Sequence, residues 1–279
     1  MDIEQLSGKG AIITGGAGGI GLGIARTLAR RGVNIALADI EEGALTRARS
    51  EIESLGVRVI TRRVDVASAS AVRGAAADFE HFLGKVHLVF NNAGVEISGR
   101  ALADVGDAEW QWIMGVNVFG VIHGIRYFVP LISKHGEGGH VVNTASIGGF
   151  QVNREYRLGP YSASKAAVVA LSEGLAHDME GSGIDVSVLC PASVNTRISE
   201  SARNRGTHYG GPVKDESNEG RDRLRAALAT GMTPDEVGAH VLRALRDREF
   251  YIFTHRKTKP WLEQRFERIL KAFEGAEDR

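Results

Sequence analysis

Six short apolar runs, each followed by a stretch with helical periodicity, constrain this chain more than any other feature. The runs are rich in β-branched residues and almost continuously apolar, which is typical of parallel strands covered on both faces. They lie at residues 11–14, 33–39, 57–65, 86–92, 140–146 and 185–191. Because strand and helix alternate, we predict an α/β fold with a doubly wound, Rossmann-like parallel sheet in a single domain.

The segments between these runs predict the helices of the same domain. They lie at residues 19–31, 42–55, 69–83, 107–133, 160–181 and 234–247. Residues 249–253 predict a last strand, and residues 259–273 have helical spacing with one apolar face. We therefore predict one domain over residues 1–279, with a C-terminal extension over approximately 255–279.

One polar stretch interrupts the alternation directly after the sixth strand. Residues 199–231 are charged and contain several glycines, which suits either a surface insertion or a lid. Ligands of such sheets bind beyond the carboxyl ends of the strands. We therefore predict a substrate lid over approximately 192–231.

The composition limits the partners and the compartment. Lys and Arg together number 34, as do Asp and Glu, so a nucleic-acid-binding surface is not indicated. The single cysteine, Cys190, cannot form an internal disulfide bond, which favours a reducing compartment. Neither a signal peptide nor a membrane-spanning run is evident. We expect a cytoplasmic protein that binds no nucleic acid and no membrane.

A glycine-rich turn, TGGAGGIGLG at residues 14–23, joins the first strand to the first helix. Glycines let the backbone approach a pyrophosphate closely, and the helix N-terminus offers amide groups to it. This context predicts dinucleotide binding. The predicted contacts in the turn are Gly15, Gly18, Gly19, Ile20 and Gly21.

An aspartate at the end of the second strand bears on the choice of dinucleotide. Asp39 can accept hydrogen bonds from the adenosine ribose and would repel a 2′-phosphate, and the next residue, Ile40, is not basic. This predicts NAD in preference to NADP. Asp39 can alternatively cap the helix that begins near Glu41. Asp65 and Val66, after the third strand, are predicted near the adenine, and Asp65 is equally suited to cap a helix.

Four further motifs follow in order: NNAG at 91–94, Asn117 in an apolar helical stretch, Ser146 at a strand end, and YSASK at 161–165. Together with the glycine turn, this order resembles the short-chain dehydrogenase/reductase family, over about residues 6–254. The resemblance implies an oxidoreductase that transfers hydride between a nicotinamide dinucleotide and an alcohol or ketone.

The resemblance also implies a role for each motif residue. Tyr161 is the acid/base, and Lys165, one turn away on the same helix face, favours tyrosinate together with the positive nicotinamide ring. Lys165 also holds the nicotinamide ribose. Ser146 hydrogen-bonds the substrate oxygen, and Asn117 holds a water of a proton relay. The remaining implied coenzyme contacts are Asn92, Ala93, Gly94, Pro191, Val194 and Thr196.

Aromatic and apolar residues near the motifs bear on the substrate. The candidate substrate contacts are Glu96, Phe150, Val152 and Tyr156. Together with the long lid, they indicate a bulky, partly hydrophobic secondary alcohol or ketone. The tail from about residue 232 resembles that of bacterial dehydrogenases of lignin dimers and terpenoid acids.

An NAD-dependent secondary-alcohol dehydrogenase is therefore the favoured function. An NADPH-dependent 3-ketoacyl-type ketoreductase shares the motifs but is opposed by Asp39. A non-catalytic regulator that senses the dinucleotide would usually lack the tyrosine or the lysine. The histidines lack paired metal-ligand spacing, so no catalytic metal is predicted. As in most of the family, the helices at 107–133 and 160–181 are predicted to pair copies into a homotetramer or homodimer.

Overall fold

A seven-stranded, all-parallel sheet forms the centre of the computed structural model, which describes residues 3–213 and 218–275. The strand order is β3-β2-β1-β4-β5-β6-β7. The strands are β1 Gly10–Thr14, β2 Asn34–Asp39, β3 Val59–Arg63, β4 Leu88–Asn91, β5 Gly139–Thr144, β6 Ile184–Cys190 and β7 Tyr251–Phe253. Residues 214–217 of the predicted lid and 276–279 of the predicted extension lie outside the described residues.

Helices cover both faces of the sheet, as the alternating sequence predicts. They are α1 Gly19–Ala29, α2 Glu42–Glu53, α3 Ala69–Leu83, α4 Asp107–Met114, α5 Gly120–Ser133, α6 Gly159–Asp178, α7 Glu219–Ala229, α8 Pro234–Asp247 and α9 Lys259–Phe273. Successive strand residues point to opposite faces, so Ile13 packs with Ile24 of α1 while Ile12 packs with Phe79 of α3. The predicted fold class is thereby confirmed.

The strand order reverses between β1 and β4. The chain runs outward from β1 through β2 to β3, and then returns to place β4 on the other side of β1. At such a switch point the connections leave in opposite directions and open a crevice at the carboxyl ends of the strands. Thr14 at the end of β1 and Asn91 at the end of β4 border this crevice.

The predicted helix 107–133 is continuous but contains a π-helical turn at Gly115–Phe119, between α4 and α5. The stretch Asp107–Ser133 is long and apolar enough to cross a membrane by length and composition alone, since an 18-residue window within it has a mean hydropathy of 1.4. Half of that window is buried in the protein, and Phe128 and Ile132 belong to the core beneath α5. Packing against the sheet accounts for this apolar composition.

Large exposed apolar side chains of the described residues concentrate at one end of the sheet. Those on the edge strand β7 and on α9 are Tyr251, Phe253, Trp261, Phe266, Ile269, Leu270 and Phe273. The helical stretch 107–133 contributes Phe119, and α6 contributes none of them. The pairing of copies through the helices at 107–133 and 160–181 stays a prediction.

Helices α1 and α8 approach as closely as two glycines allow. A Cβ atom at Gly23 would lie 2.2 Å from the carbonyl oxygen of Pro234. A Cβ atom at Gly238 would lie 2.6 Å from the carbonyl oxygen of Gly23 and 2.4 Å from Thr27 Oγ1. This contact fixes α8 beside α1, the helix that follows the glycine turn.

Gly238→Ala is expected to lower the free energy of unfolding by about 1–3 kcal/mol, because the methyl group forces two packed helices apart. Gly74→Ala, on α3, is the matched control, since a Cβ atom there meets nothing within 4 Å. The control should leave stability unchanged or raise it by about 0.5–1 kcal/mol through helix propensity. Urea unfolding measures both, and equal effects would contradict the packing argument.

Candidate active site

A cleft of about 1370 Å³ opens at the carboxyl ends of the strands, at the switch point between β1 and β4. Most of the predicted coenzyme and catalytic residues line it: Gly15, Gly18, Gly19, Ile20, Asp39, Ile40, Asp65, Val66, Asn92, Ala93, Gly94, Tyr161, Lys165, Pro191 and Thr196. Four others, namely Gly21, Asn117, Ser146 and Val194, are buried and absent from the lining.

The glycine turn packs directly against the loop after β4. Gly15 has a φ of 62°, and a Cβ atom there would lie 2.8 Å from Ala93 Cα. Gly21 lies under the turn, where a Cβ atom would be 2.2 Å from the carbonyl oxygen of Gly15. Thr14 Oγ1 accepts hydrogen bonds from the amides of Asn92 and Ala93, at 2.9 and 3.1 Å. Glycine is therefore required here by both conformation and space.

The N-terminus of α1 faces the cleft with its first amides uncapped. The N-cap residue is Gly18, which has no side chain to accept from them. Gly18 and Gly19 both line the cleft, and Gly19 has a φ of 49°. Free amides at a helix N-terminus form a binding site for an anion such as a pyrophosphate. The backbone of this turn fits the diphosphate of a dinucleotide.

Backbone amides hold the Asp39 carboxylate, and the N-cap residue of α2 is Glu41 and not Asp39. Its Oδ2 accepts from the amide of Ala17 at 3.0 Å, and its Oδ1 accepts from the amide of Glu41 at 3.1 Å. Burial raises the pKa of Asp39, and these backbone hydrogen bonds oppose that shift. Asp65 does not cap a helix either, because the N-cap residue of α3 is Ser68.

Tyr161 and Lys165 lie one turn apart near the start of α6. The Lys165 Nζ atom lies 5.7 Å from the centre of the Tyr161 ring and donates to the carbonyl oxygen of Thr144 at 2.8 Å. Ser146 reaches Tyr161 from β5, and a Cβ atom at Gly148 would lie 3.4 Å from Ser146 Oγ and 3.6 Å from Tyr161 Cε1. The fold thus brings these three predicted side chains together.

Asn117 joins the loop after β4 to α6. Its Oδ1 accepts from the amide of Val95 at 2.8 Å, and its Nδ2 donates to the carbonyl oxygen of Val95 and to Ser164 Oγ, both at 2.9 Å. A Cβ atom at Gly94 would lie 3.4 Å from Asn117 Oδ1 and 3.3 Å from Lys165 Nζ. Both side-chain amide hydrogens of Asn117 are therefore used within the protein, and Gly94 separates it narrowly from the cleft.

Burial moves both ionisable groups toward their neutral forms. It raises the pKa of Tyr161 to about 12, although a hydrogen bond with Ser146 acts in the opposite direction. It lowers the pKa of Lys165 to about 8. A buried environment disfavours tyrosinate and ammonium alike. The residues of the chain alone do not lower the pKa of Tyr161, so the expected tyrosinate depends on the positive ring of a bound coenzyme.

The candidate substrate residues do not line the cleft. Phe150 packs against Tyr251 and Phe253, with ring centres 6.0 and 5.5 Å away, because its loop runs toward the edge strand β7. Val152 is 58% exposed. Tyr156 packs in an apolar cluster that also includes Tyr161. Buried Glu96 accepts from Ser98 Oγ at 3.1 Å.

Other residues of the cleft had no clear signal in the sequence. Trp112 and Tyr209 line it, as does Arg203, which pairs with Glu41 across 162 positions of sequence. Thr144 also lines the cleft, and its carbonyl oxygen holds Lys165. The Thr144 contact follows from its place at the end of β5. No local pattern indicates the contact between Arg203 and Glu41.

One group of possible metal ligands occurs among residues 3–213 and 218–275, namely His87, His135 and Glu137. It lies at the amino edge of the sheet, opposite the cleft. The His87 ring accepts from the amide of Gly10 and bonds Glu137, while the His135 ring bonds Val86 and the amide of Glu137. The lysines Lys9 and Lys85 both pair with Glu137. With all four ring nitrogens engaged, this group is a hydrogen-bonded cluster.

A family model described as short chain dehydrogenase matches residues 9–206 of this chain. The chain belongs to the short-chain dehydrogenase family. It is an oxidoreductase, as the sequence motifs predicted.

Similar proteins support this assignment over nearly the whole chain. A C alpha-dehydrogenase from a Sphingobium species is 34% identical over 261 residues, which cover 93% of this chain and 85% of that protein. A crystal structure of a short-chain dehydrogenase/reductase from Burkholderia phymatum in complex with NAD has a TM-score of 0.91 and 35% identity, with 99% of each chain covered.

Structures similar to this short-chain dehydrogenase contain either coenzyme. A short chain dehydrogenase from Burkholderia cenocepacia, solved in complex with NADP, has a TM-score of 0.74 and 30% identity, with 89% of this chain and 96% of that chain covered. The glycine turn and the uncapped start of α1 fit the diphosphate that NAD and NADP share. The fold alone does not separate the two.

Replacing Lys165 with methionine is expected to stabilise the protein at pH 7 by about 1–2 kcal/mol, because it removes a buried ammonium. The folded pKa of about 8 lies below the unfolded value of 10.5. Between about pH 8 and 10.5 the unfolded chain therefore binds more protons, and the wild-type protein regains stability as the pH rises. The advantage of the variant should shrink across that window.

Urea unfolding at pH 7 and pH 10 measures this difference. Lys257→Met is the control, because Lys257 is exposed and should change stability by less than about 0.5 kcal/mol at either pH. A Lys165→Met variant no more stable than the wild type at pH 7, or equally favoured at both pH values, would contradict the argument.

Proposed function

We propose that this short-chain dehydrogenase interconverts a secondary alcohol and a ketone, with NAD as coenzyme and Tyr161 as the acid/base. The convergence of Tyr161, Lys165 and Ser146 beside the glycine turn carries this proposal. The three side chains come from α6 and the end of β5, and Tyr161 and Lys165 line the cleft that the glycine turn borders. A hydroxyl group placed there lies within reach of both a proton acceptor and a dinucleotide.

A bound nicotinamide dinucleotide would accept hydride from the alcohol carbon or supply it to the ketone. Tyr161 accepts the hydroxyl proton of the alcohol as the carbonyl forms, and donates it back in the reverse direction. Ser146 donates a hydrogen bond to the reacting oxygen and stabilises the charge that develops there. The Lys165 ammonium would assist the positive ring of a bound coenzyme in favouring tyrosinate, and with its pKa lowered to about 8 Lys165 can release the proton onward.

The side chain of Asn117 positions this site. Its amide bonds the loop after β4 on one side and Ser164 on the other, and Ser164 Oγ donates to the carbonyl oxygen of Tyr161 at 2.7 Å. This chain of hydrogen bonds ties the start of α6 to the loop that borders the cleft. We propose that these hydrogen bonds fix the position of Tyr161 in the cleft.

The half-buried carboxylate of Asp39 supports NAD. It is fixed by two backbone amides and faces the place where the adenosine ribose would lie. Arg47 and Arg63 also line this end of the cleft and would favour the NADPH-dependent alternative, but both are exposed and therefore screened by solvent. A fixed, half-buried charge acts more strongly than a mobile, solvated one.

Apolar packing around Tyr161 supports a bulky, partly hydrophobic substrate. One cluster contains Val95, Ile97 and Trp112, and a second contains Leu158, Leu224 and Leu228; Tyr161 packs against both. The second cluster includes side chains of α7, within the predicted lid. We propose that the lid buries the apolar part of the substrate against these clusters.

Further proposals concern the protein's surroundings. As a member of its family, the enzyme is proposed to act as a homotetramer or homodimer on a small molecule in the cytoplasm. No nucleic acid or catalytic metal enters the proposed reaction.

Asp39→Ser is expected to lower the ratio of kcat/KM for NAD+ to that for NADP+ by at least about tenfold, because it removes the charge that repels a 2′-phosphate. The measurement is initial rates with both coenzymes. Glu42→Ser replaces an exposed acid three residues farther along, at the first position of α2, and should leave the ratio unchanged. A wild-type preference for NADP+ would reject the NAD assignment.

Tyr161→Phe is expected to reduce kcat by about 10²–10⁴-fold while leaving coenzyme binding intact, because only the transferable proton is lost. A panel of bulky secondary alcohols with NAD+, followed by NADH absorbance, identifies the assay substrate. Tyr127→Phe, on α5, is the matched control and should retain full activity. A fully active Tyr161→Phe enzyme would refute the mechanism, and a wild type that binds NAD+ without any turnover would favour the regulator.

A further inference from the structure

The chain after β6 crosses the mouth of the cleft. We call residues 198–211 the crossing segment; it contains two short 3₁₀ helices, Ile198–Asn204 and Thr207–Tyr209. Most of its residues line the cleft, as do Asp39 and Glu41 on the opposite side. A ligand in the cleft is therefore enclosed between the crossing segment and the ends of the strands.

The middle of the crossing segment is bonded to the turn that carries Asp39. The Arg203 guanidinium and the Asn204 amide both donate to Glu41 Oε1, the latter at 2.9 Å. The amide of Glu41 in turn donates to Asp39 Oδ1 at 3.1 Å. The group that would bind the adenosine ribose and the group that holds the crossing segment thus share one short turn.

The Glu41–Arg203 pair is well anchored on both sides. Arg203 Nη1 also donates to the carbonyl oxygens of Glu200 and Arg197, at 2.9 and 3.2 Å, which fixes the guanidinium within its own segment. Both paired side chains are 31% exposed. Burial acts to raise the pKa of Glu41, but the hydrogen bonds from Arg203 and Asn204 outweigh it and lower that pKa.

Residues on either side of Arg203 and Asn204 are held by different contacts. Buried Ser201 Oγ accepts from the amide of Glu96 at 3.0 Å, Arg205 lies 3.4 Å from Glu109, and Tyr209 packs beside Trp112. These contacts lie on the substrate side of the cleft. Loss of the Glu41 contact would therefore release Arg203 and Asn204 from the turn that carries Asp39, while the substrate-side contacts stay in place.

We propose that the Glu41–Arg203 ion pair is a latch that closes the crossing segment over the adenosine half of the coenzyme and limits the rate at which coenzyme leaves. The inference rests on the proposed function only in that a nicotinamide dinucleotide occupies the cleft. Arg203 and Glu41 act as positioning residues, since neither meets the reacting atoms. Coenzyme release is commonly the slow step of enzymes that close over their ligands.

The test is the dissociation rate of NADH, followed by the loss of its fluorescence when excess NAD+ displaces it in a stopped-flow instrument. Arg203→Gln and Glu41→Gln should each accelerate release by about fivefold, the value for a half-buried ion pair of about 1 kcal/mol. The double variant should release NADH no faster than either single variant, because one interaction is lost in all three. Arg49→Gln is the control, since the Arg49–Glu53 pair lies within α2 and does not cross the cleft.

A second measurement needs no coenzyme. Amide hydrogen exchange of residues 198–211 should be faster in Arg203→Gln and Glu41→Gln than in the wild type, and unchanged in Arg49→Gln. Exchange of the sheet should be unchanged in all three, which separates opening of the segment from general destabilisation.

The outcomes separate the latch from the proposed function. Wild-type protein that fails to bind NADH would refute the proposed function. Normal NADH binding with release rates in Arg203→Gln and Glu41→Gln equal to that of Arg49→Gln would overturn the latch alone. Additive effects in the double variant would also overturn it, because the two residues would then act separately.

Discussion

The close approach of the glycine turn to the loop after β4 is the contact on which the rest of the site depends. These two loops follow the neighbouring parallel strands β1 and β4, and a crevice opens there because the strand order reverses. Thr14 then fixes their separation, because one hydroxyl oxygen accepts from two successive amides of the facing loop. A side chain at Gly15 would occupy the space of Ala93 and push the loops apart. Coenzyme binding and the placement of Asn117 behind Gly94 both follow from this spacing.

The fold was predictable from the sequence because hydrophobic periodicity and residue composition determine secondary structure over short stretches of the chain. The runs at 11–14 and 86–92 are almost continuously apolar. This pattern is typical of strands that are covered by helices on both faces of the sheet. The positions of Ser146 and Tyr161 were predictable for a related reason, since Ser146 follows a strand and Tyr161 lies at the start of a helix at the same edge of the sheet. Helix α7 was not predicted, because its polar composition gives little periodic signal and its Leu224 and Leu228 are buried only by tertiary contacts.

Other features depend on distances that no local pattern encodes. The pKa of Tyr161 is set by how completely its surroundings exclude water, and Lys165 stands too far from the ring centre to reverse that effect. The position of Phe150 between Ser146 and Tyr161 predicted a residue of the cleft. Its side chain instead packs against the aromatic rings of β7 at the edge of the sheet. The pair of Glu41 and Arg203 joins parts of the chain that only the finished sheet brings together.

The π-helical turn at Gly115–Phe119 affects how the helix over residues 107–133 accommodates a change in length. A π turn holds one residue more than an α turn, and each residue rotates a helix by about 100°. The extra residue therefore sets the angle between the part that carries Trp112 and the part that buries Phe128. Removal of one residue here would convert the π turn to regular α-helix. The widened turn thus lets Asn117 bond the loop after β4 while Phe128 and Ile132 stay packed in the core beneath α5.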